Sequence, residues 1–181
     1  MKVRPVGADR MRALLCGMPK AELHMHIEGS LEPELIFQLA RRNGMTLAYP
    51  DVESLRQAYV FNNLQDFLDI YHTGTTVLRT EQDFYDMTHA YLARAHADNV
   101  VHTEIFFDTQ THTGHGLDAC VVVHGLYRAC VDARAEFETG RGFVEQIKLR
   151  YGFADYQHSE IEEDGTIGTS FYNRGMEARV E

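Results

Sequence analysis

Two histidines one residue apart carry the strongest chemical signal in this sequence. His24 and His26 end a short run over 21–26 that is predicted to form a β-strand. Residues i and i+2 of a strand point to the same face, so two imidazoles can bind one zinc ion side by side. The alternative is a pair of surface or packed histidines, because a catalytic zinc normally has three protein ligands and a water.

The residues that follow the pair indicate what must position it. Gly29 and Ser30 come directly after the strand, and Ser30 is expected to be the N-cap of a helix over 31–42. Weaker helical patterns cover 52–59 and 64–71. The pair would therefore lie where a strand ends in a loop.

A second strand follows the clearest helix. Thr80 begins a variant capping box and a helix over 81–98. The β-branched and aromatic run over 100–108 predicts a strand, followed by a polar loop over 109–116 and a helix over 117–138. This alternation is typical of a parallel sheet covered by helices, where ligands lie at the C-terminal ends of the strands.

Other polar residues have weaker claims to chemistry. Asp108, Gln110 and His112 follow the second strand and could border the same pocket, although local turn bonds explain them equally well. Glu104 is either a paired interior carboxylate or an exposed one. The remaining mid-chain histidines are interpreted as surface or helix-flank residues: His72, His89, His96, His115 and His124.

Composition narrows the functional classes. The chain has 181 residues, 17 Lys and Arg against 27 Asp and Glu, and a net charge of −10, so we expect no nucleic-acid partner. We expect no membrane partner for residues 1–139, because no apolar run of membrane-spanning length occurs and the run over 13–16 is too short for a signal peptide. Three cysteines without CxxC spacing predict reduced, mostly buried thiols and a cytoplasmic location. Oligomeric state is not readable from the sequence.

The pattern changes near residues 139–141. Alternating residues over 147–154 and 167–180, with a turn at 162–165, predict a short antiparallel β meander. We therefore divide the chain into a unit over 1–139 and a β-rich segment over 140–181. The tail over 149–158 and 162–174 resembles a hairpin of TonB-dependent outer-membrane receptors, the alternative being an unrelated soluble meander.

Residues 15–138 resemble a known enzyme family. The run over 18–33, which contains the motif His24-Met-His26-Ile-Glu28-Gly29, resembles the opening of the adenosine/adenine deaminase family of zinc amidohydrolases. The resemblance continues through 63–71, 79–86 and 102–112. The adenosine enzymes usually carry Asp where this chain has Glu28, so the chain looks like the adenine deaminase branch. It departs from the family at Thr109, where Pro is expected.

The resemblance implies a fold, a cofactor and roles for several residues. The chain would be the N-terminal part of an incomplete (β/α)8 TIM barrel, because a complete barrel typically needs about 250 residues. His24 and His26 would be ligands of Zn²⁺, while Glu28, Gly29 and Asp108 would lie at the pocket for a small purine substrate. The reaction implied is the hydrolytic deamination of adenine to hypoxanthine and ammonia.

The resemblance ends before the rest of the family's machinery. The later strands of the family supply a third histidine ligand, a proton-shuttling glutamate, a further histidine and a pair of aspartates, and none of these motifs occurs here. No catalytic residue is therefore assigned, and we expect the chain alone to be inactive or very weak. The alternatives are an adenosine deaminase and a non-catalytic fragment or chimera. An outer-membrane component ranks last, because it would need a signal peptide.

Overall fold

A computed structural model of the chain describes residues 7–61, 63–137, 149–161 and 167–180. Helices and strands alternate over the first two ranges, and two long strands form the remainder. In chain order the elements are α1 Ala8–Gly17, β1 Lys20–His26, a 3-10 turn Ile27–Ser30, α2 Pro33–Arg42, α3 Val52–Ala58, α4 Leu64–Thr76, α5 Glu81–Ala97, β2 Val100–Phe107, α6 Thr109–Gly114, α7 Ala119–Phe137, β3 Leu149–Ile161 and β4 Ile167–Val180.

The strands form one sheet in the order β1-β2-β4-β3. β1 and β2 are parallel, with Lys20 opposite Val100 and His26 opposite Phe106, so both strands end at the same edge. β4 pairs antiparallel with both β2 and β3. The predicted parallel pair and the predicted antiparallel strands are both confirmed, while the predicted turn at 162–165 and the boundary at 139–141 lie outside the described residues.

Helices α2, α5 and α7 each bury an apolar face, and the period of apolar residues over 81–98 predicts the one on α5. The α5 stripe of Phe84, Met87, Tyr91, Leu92 and Ala95 is buried throughout. α7 crosses α5 closely at Gly125, where an added Cβ would lie 2.5 Å from the carbonyl oxygen of Glu81. The two helices therefore pack at backbone distance, and only glycine fits at that point.

The start of α5 is tied to the end of α2 through a buried carboxylate. The predicted capping box is confirmed: the Thr80 side chain accepts from the Asp83 backbone, and the Asp83 carboxylate accepts from the Thr80 backbone N–H at 2.7 Å. Asp83 is fully buried and also accepts from the Arg42 guanidinium and from the Asn43 amide at 2.9 Å. This carboxylate therefore fixes the two helices relative to each other.

Three local predictions were wrong. Ser30 does not cap α2: it ends the 3-10 turn, its hydroxyl is buried without a partner among the described residues, and α2 begins at Pro33 with Glu32 as N-cap. Proline at the first helical position needs no amide donor, which explains the later start. The loop expected over 109–116 contains α6. Of the three free thiols only Cys130 is buried, whereas those of Cys16 and Cys120 are exposed.

Within the residues that the structure describes, no helix combines the length and the apolar character needed to cross a membrane.

Candidate functional site

The two histidines of the HxH motif lie side by side at the end of β1. Their ring centroids are 5.4 Å apart, and both rings contact Phe106 of β2, at 4.3 Å for His24 and 5.9 Å for His26. The strand does not bring them together by simple alternation, since its register shifts between Glu22 and Met25 and His24 has a left-handed backbone with φ 58°. A bulge and an aromatic neighbour thus pair the rings.

This arrangement fits two ligands of one zinc ion. Imidazole nitrogens bound tetrahedrally at about 2.1 Å place the two ring centroids about 5 Å apart. Both histidines are exposed, so a metal could reach them. Among the described residues no group of three or more His, Cys, Asp or Glu side chains could hold a metal, so the pair would be only part of a coordination shell.

Glu28 lies two residues beyond the pair and is buried, with 2% of its surface exposed. Its Oε1 accepts from the backbone N–H of Asp108 at 2.8 Å and lies 3.0 Å from Nε2 of His112. Its Oε2 is 3.4 Å from the hydroxyl of Tyr71. A buried carboxylate needs several donors to remain in an apolar region, and these three come from α4, from the end of β2 and from α6.

Asp108 holds Glu28 with its backbone and α6 with its side chain. Its carboxylate accepts from the backbone N–H groups of Gln110 and Thr111 at 3.1 and 3.2 Å, and from the Thr111 hydroxyl at 2.5 Å. Asp108 is therefore the N-cap of α6. The side chain of Asp108 therefore makes the local turn bonds that were one of its two interpretations, while its backbone N–H contacts Glu28.

A cavity lies beside Glu28. Glu28 and Gly29 line it together with mostly apolar and aromatic residues from the chain around the start of α2, from the segment between α3 and α4, and from α4: Leu31, Ile36, Tyr59, Phe61, Phe67, Ile70, Tyr71 and Gly74. Burial, followed by the charges of Glu28 and Asp108, raises the pKa of Tyr71 above its ordinary value, so its hydroxyl remains a donor at neutral pH. The space beside Gly29 is open, since an added Cβ would meet no atom within 4 Å.

The structure places the five predicted site residues in two adjacent groups and adds others. Glu28, Gly29 and Asp108 lie together, with the His24–His26 pair directly before them along the chain. Gln110 is exposed, and His112 is completely buried. The contacts of Phe106 with the two histidines and of Tyr71 with Glu28 were not predicted. Each joins two elements that are distant in the sequence, and the local residue pattern does not show that they are neighbours.

Residues 19–164 of the chain match a family model described as adenosine deaminase, so the chain belongs to this family. A relative named adenine deaminase from Albidiferax ferrireducens is 69% identical over 144 residues, which cover 80% of this chain and 42% of the relative. The chain spans less than half the length of this relative. The match to the family model extends past the predicted boundary at 139–141, and the resemblance of the tail to TonB-dependent receptors finds no support.

Solved structures give the same fold. An adenine deaminase from Arthrobacter aurescens is 53% identical with a TM-score of 0.63, and the match covers 66% of this chain and 36% of that one. An amidohydrolase from Burkholderia ambifaria with bound Zn is 24% identical with a TM-score of 0.56, covering 71% of this chain and 36% of that one. These matches confirm the α/β class and the incomplete (β/α)8 barrel predicted from the sequence.

Proposed function

Because the chain belongs to the adenosine deaminase family, we propose that it serves the hydrolytic deamination of a 6-aminopurine, adenine, to hypoxanthine and ammonia. The observation that carries this proposal is Glu28, a fully buried carboxylate that lies two residues after a histidine pair and beside a cavity. The relatives named adenine deaminase favour adenine over adenosine. Adenosine is the second candidate, since the family model carries that name.

We propose His24 and His26 as two ligands of a zinc ion. Their ring separation of 5.4 Å suits a shared metal, and the Burkholderia relative contains zinc. Zinc, when bound, lowers the pKa of a water molecule and so supplies a nucleophile at neutral pH. Phe106 contacts both rings and limits their rotation, so the pair is held in a binding arrangement before any metal arrives.

Glu28, Gly29 and Asp108 are proposed as the purine-side residues. Glu28 can accept a hydrogen bond from a ring N–H of the base, because Tyr71 contacts its Oε2 only at 3.4 Å. Gly29 leaves room for the base to approach the backbone. Asp108 acts through its backbone N–H, which holds Oε1 of Glu28 at 2.8 Å. The aromatic wall formed by Phe61, Phe67 and Tyr71 suits a flat ring.

We propose that these 181 residues alone deaminate adenine very slowly. A catalytic zinc usually has three protein ligands, and proton transfer to the ring needs a positioned acid. The described residues offer two ligands and place no further titratable group beside them in a metal-binding cluster. A chain of this kind would hold the base and part of the metal shell.

The test is zinc stoichiometry together with purine turnover. We expect the purified chain to bind about one zinc per chain, and His24→Ala and His26→Ala each to reduce this strongly, since each removes one of the two proposed protein ligands. His115→Ala, an exposed histidine outside the site, is the matched control and should bind like the wild type. Equal zinc binding by all four proteins would contradict the metal assignment, and adenine turnover at ordinary enzyme rates would contradict the proposed low activity.

The division of the chain near 139–141 and a cytoplasmic location remain proposals. The division is supported by the switch from parallel pairing of β1 with β2 to antiparallel pairing of β3 with β4. Mass spectrometry of the protein from its native source tests whether the tail belongs to it: peptides across 137–143 would establish the joined chain, whereas a continuous deaminase sequence would show that the tail is foreign to the native protein. The location is supported by three free cysteines and is tested by fractionation of the source cells.

A further inference from the structure

The strongest unassigned feature is the buried contact between His112 and Glu28. The two side chains are fully buried and lie 84 positions apart in the chain, with Nε2 of His112 3.0 Å from Oε1 of Glu28. The Asp108 N–H donates to the same oxygen from 2.8 Å. Oε1 is therefore held from two directions, whereas Oε2 has the Tyr71 hydroxyl at 3.4 Å.

Glu28 is the one hydrogen-bond partner of the His112 ring in the part of the chain with described side chains. The Nδ1 atom of His112 is buried without a hydrogen-bond partner there, and the ring packs edge-on against Phe84 with centroids 4.8 Å apart. Burying an imidazole with one nitrogen unsatisfied costs folding free energy. The single hydrogen bond to Glu28 is therefore the feature that could account for a histidine at this position. When Glu28 is ionised it has no proton to give, so Nε2 of His112 must be the donor.

We propose that His112 is a positioning residue that fixes Oε1 of Glu28 and so leaves Oε2 to accept a hydrogen bond from a free purine base. This inference rests on the proposed function. The N–H at the imidazole edge of a free purine is a suitable donor, and in a nucleoside the sugar replaces that hydrogen. The contact between His112 and Glu28 would therefore favour bases over nucleosides.

The consequence for binding is a change in selectivity. A carboxylate held at one oxygen presents the other in a fixed direction, whereas one that rotates about its side-chain torsions loses that direction. Tyr71 cannot replace His112 in this role, because its hydroxyl lies on the other carboxylate oxygen. Loss of His112 is thus expected to weaken ligands that donate an N–H to Glu28 more than ligands that lack this hydrogen.

The test compares His112→Met, which removes the donor, with His112→Gln, whose amide nitrogen is the same number of bonds from Cα as Nε2. His115→Met on the exposed turn after α6 is the matched control. Adenine and 9-methyladenine are titrated into each full-length protein by calorimetry. We expect His112→Met to weaken adenine binding about tenfold, with a much smaller effect on 9-methyladenine, and His112→Gln to retain most of the preference. An equal loss for both ligands, or no loss, would overturn the proposal.

A second measurement tests the positioning without any purine. The Asp108 amide donates to the same oxygen of Glu28, so its hydrogen exchange, followed by NMR, reports whether that oxygen stays in place. We expect faster exchange of this amide in His112→Met and wild-type exchange in His112→Gln and His115→Met. Unchanged exchange in His112→Met would refute the positioning role. Faster exchange in a chain that binds no purine would instead support the positioning role and contradict the proposed function.

Discussion

Replacing Asp83 by Ala should lower the free energy of unfolding by about 3 kcal/mol, far more than the same replacement of an exposed neighbour. Its Oδ2 accepts from Asn43 Nδ2 at 2.9 Å, from the Arg79 backbone N–H at 2.9 Å, and from the backbone N–H and hydroxyl of Thr80 at 2.7 and 2.9 Å. Its Oδ1 accepts from Arg42. Breaking a buried ion pair from one side costs about 3–5 kcal/mol. The lower limit applies, because the Arg42 side chain is 35% exposed and water can reach it after the change.

Asp86 provides a matched control on the same helix. It lies three residues further along α5 and pairs with the same guanidinium at 2.6 Å, but its side chain is 23% exposed. Pairs with access to water contribute about 0–1 kcal/mol, so Asp86→Ala should lose under about 1 kcal/mol. Urea denaturation followed by circular dichroism measures both variants. If Asp83→Ala loses no more stability than Asp86→Ala, the reasoning from burial and shared donors is refuted.

The same carboxylate predicts how stability changes at acid pH. Burial opposes ionisation of Asp83, but donors led by the Arg79 backbone and Arg42 outweigh it and hold its pKa below the ordinary 3.8. A lowered pKa in the folded state contributes stability that is present above the unfolded value and is lost as the pH falls through the folded value. The difference in free energy of unfolding between wild type and Asp83→Asn should therefore become smaller as the pH falls below about 4. A difference that stays constant across this pH range would contradict the prediction.

Two further predictions concern packing in the first part of the chain. Gly125→Ala should lower the free energy of unfolding by about 1–3 kcal/mol in urea denaturation, because the new methyl would lie 2.5 Å from the Glu81 carbonyl oxygen. Gly114→Ala is the control, because its methyl would meet no atom within 4 Å, and it should change stability little. Similar losses for the two variants would contradict the packing argument. Burial raises the pKa of the Cys130 thiol to about 12. At pH 8 this cysteine should therefore react with a disulfide reagent far more slowly than the exposed thiols of Cys16 and Cys120. Equal rates for all three would show that the surroundings of Cys130 open readily to solvent.

Elements with a strong local pattern could be predicted from the sequence, whereas long-range contacts could not. The α5 capping box and its apolar stripe follow from residue types and the helical period, and the structure confirms both. The Thr109–Gly114 segment has no apolar period, and its helix depends on the side chain of Asp108 as a cap. An aspartate before a short polar run was a usable signal for that helix, and it was missed.

The histidine pair that we propose as zinc ligands could be recognised from the sequence, whereas the residues that support it could not. The HxH spacing identified His24 and His26, but the bulge that brings their rings together leaves no mark in the residue pattern. His112 was left undecided between a pocket and a loop, because its burial depends on Glu28, 84 positions away. A sequence of one chain shows which groups are present, whereas tertiary packing decides which of them meet.

The left-handed backbone of His24 sets folding stability against the proposed metal binding at a single position. Glycine adopts φ 58° without steric cost, whereas a residue with a Cβ loses free energy there, so His24→Gly relieves backbone strain while it removes a proposed zinc ligand. Natural selection for stability alone would replace this histidine, and selection for metal binding would retain it. Asn99, which has the same φ and begins no site, gives the comparison: its side chain is among those that tolerate this conformation, and its amide simply bonds to the Gly17 carbonyl at 2.9 Å. If His24 binds the proposed zinc, related chains that no longer bind a metal should change at His24 before they change at Asn99.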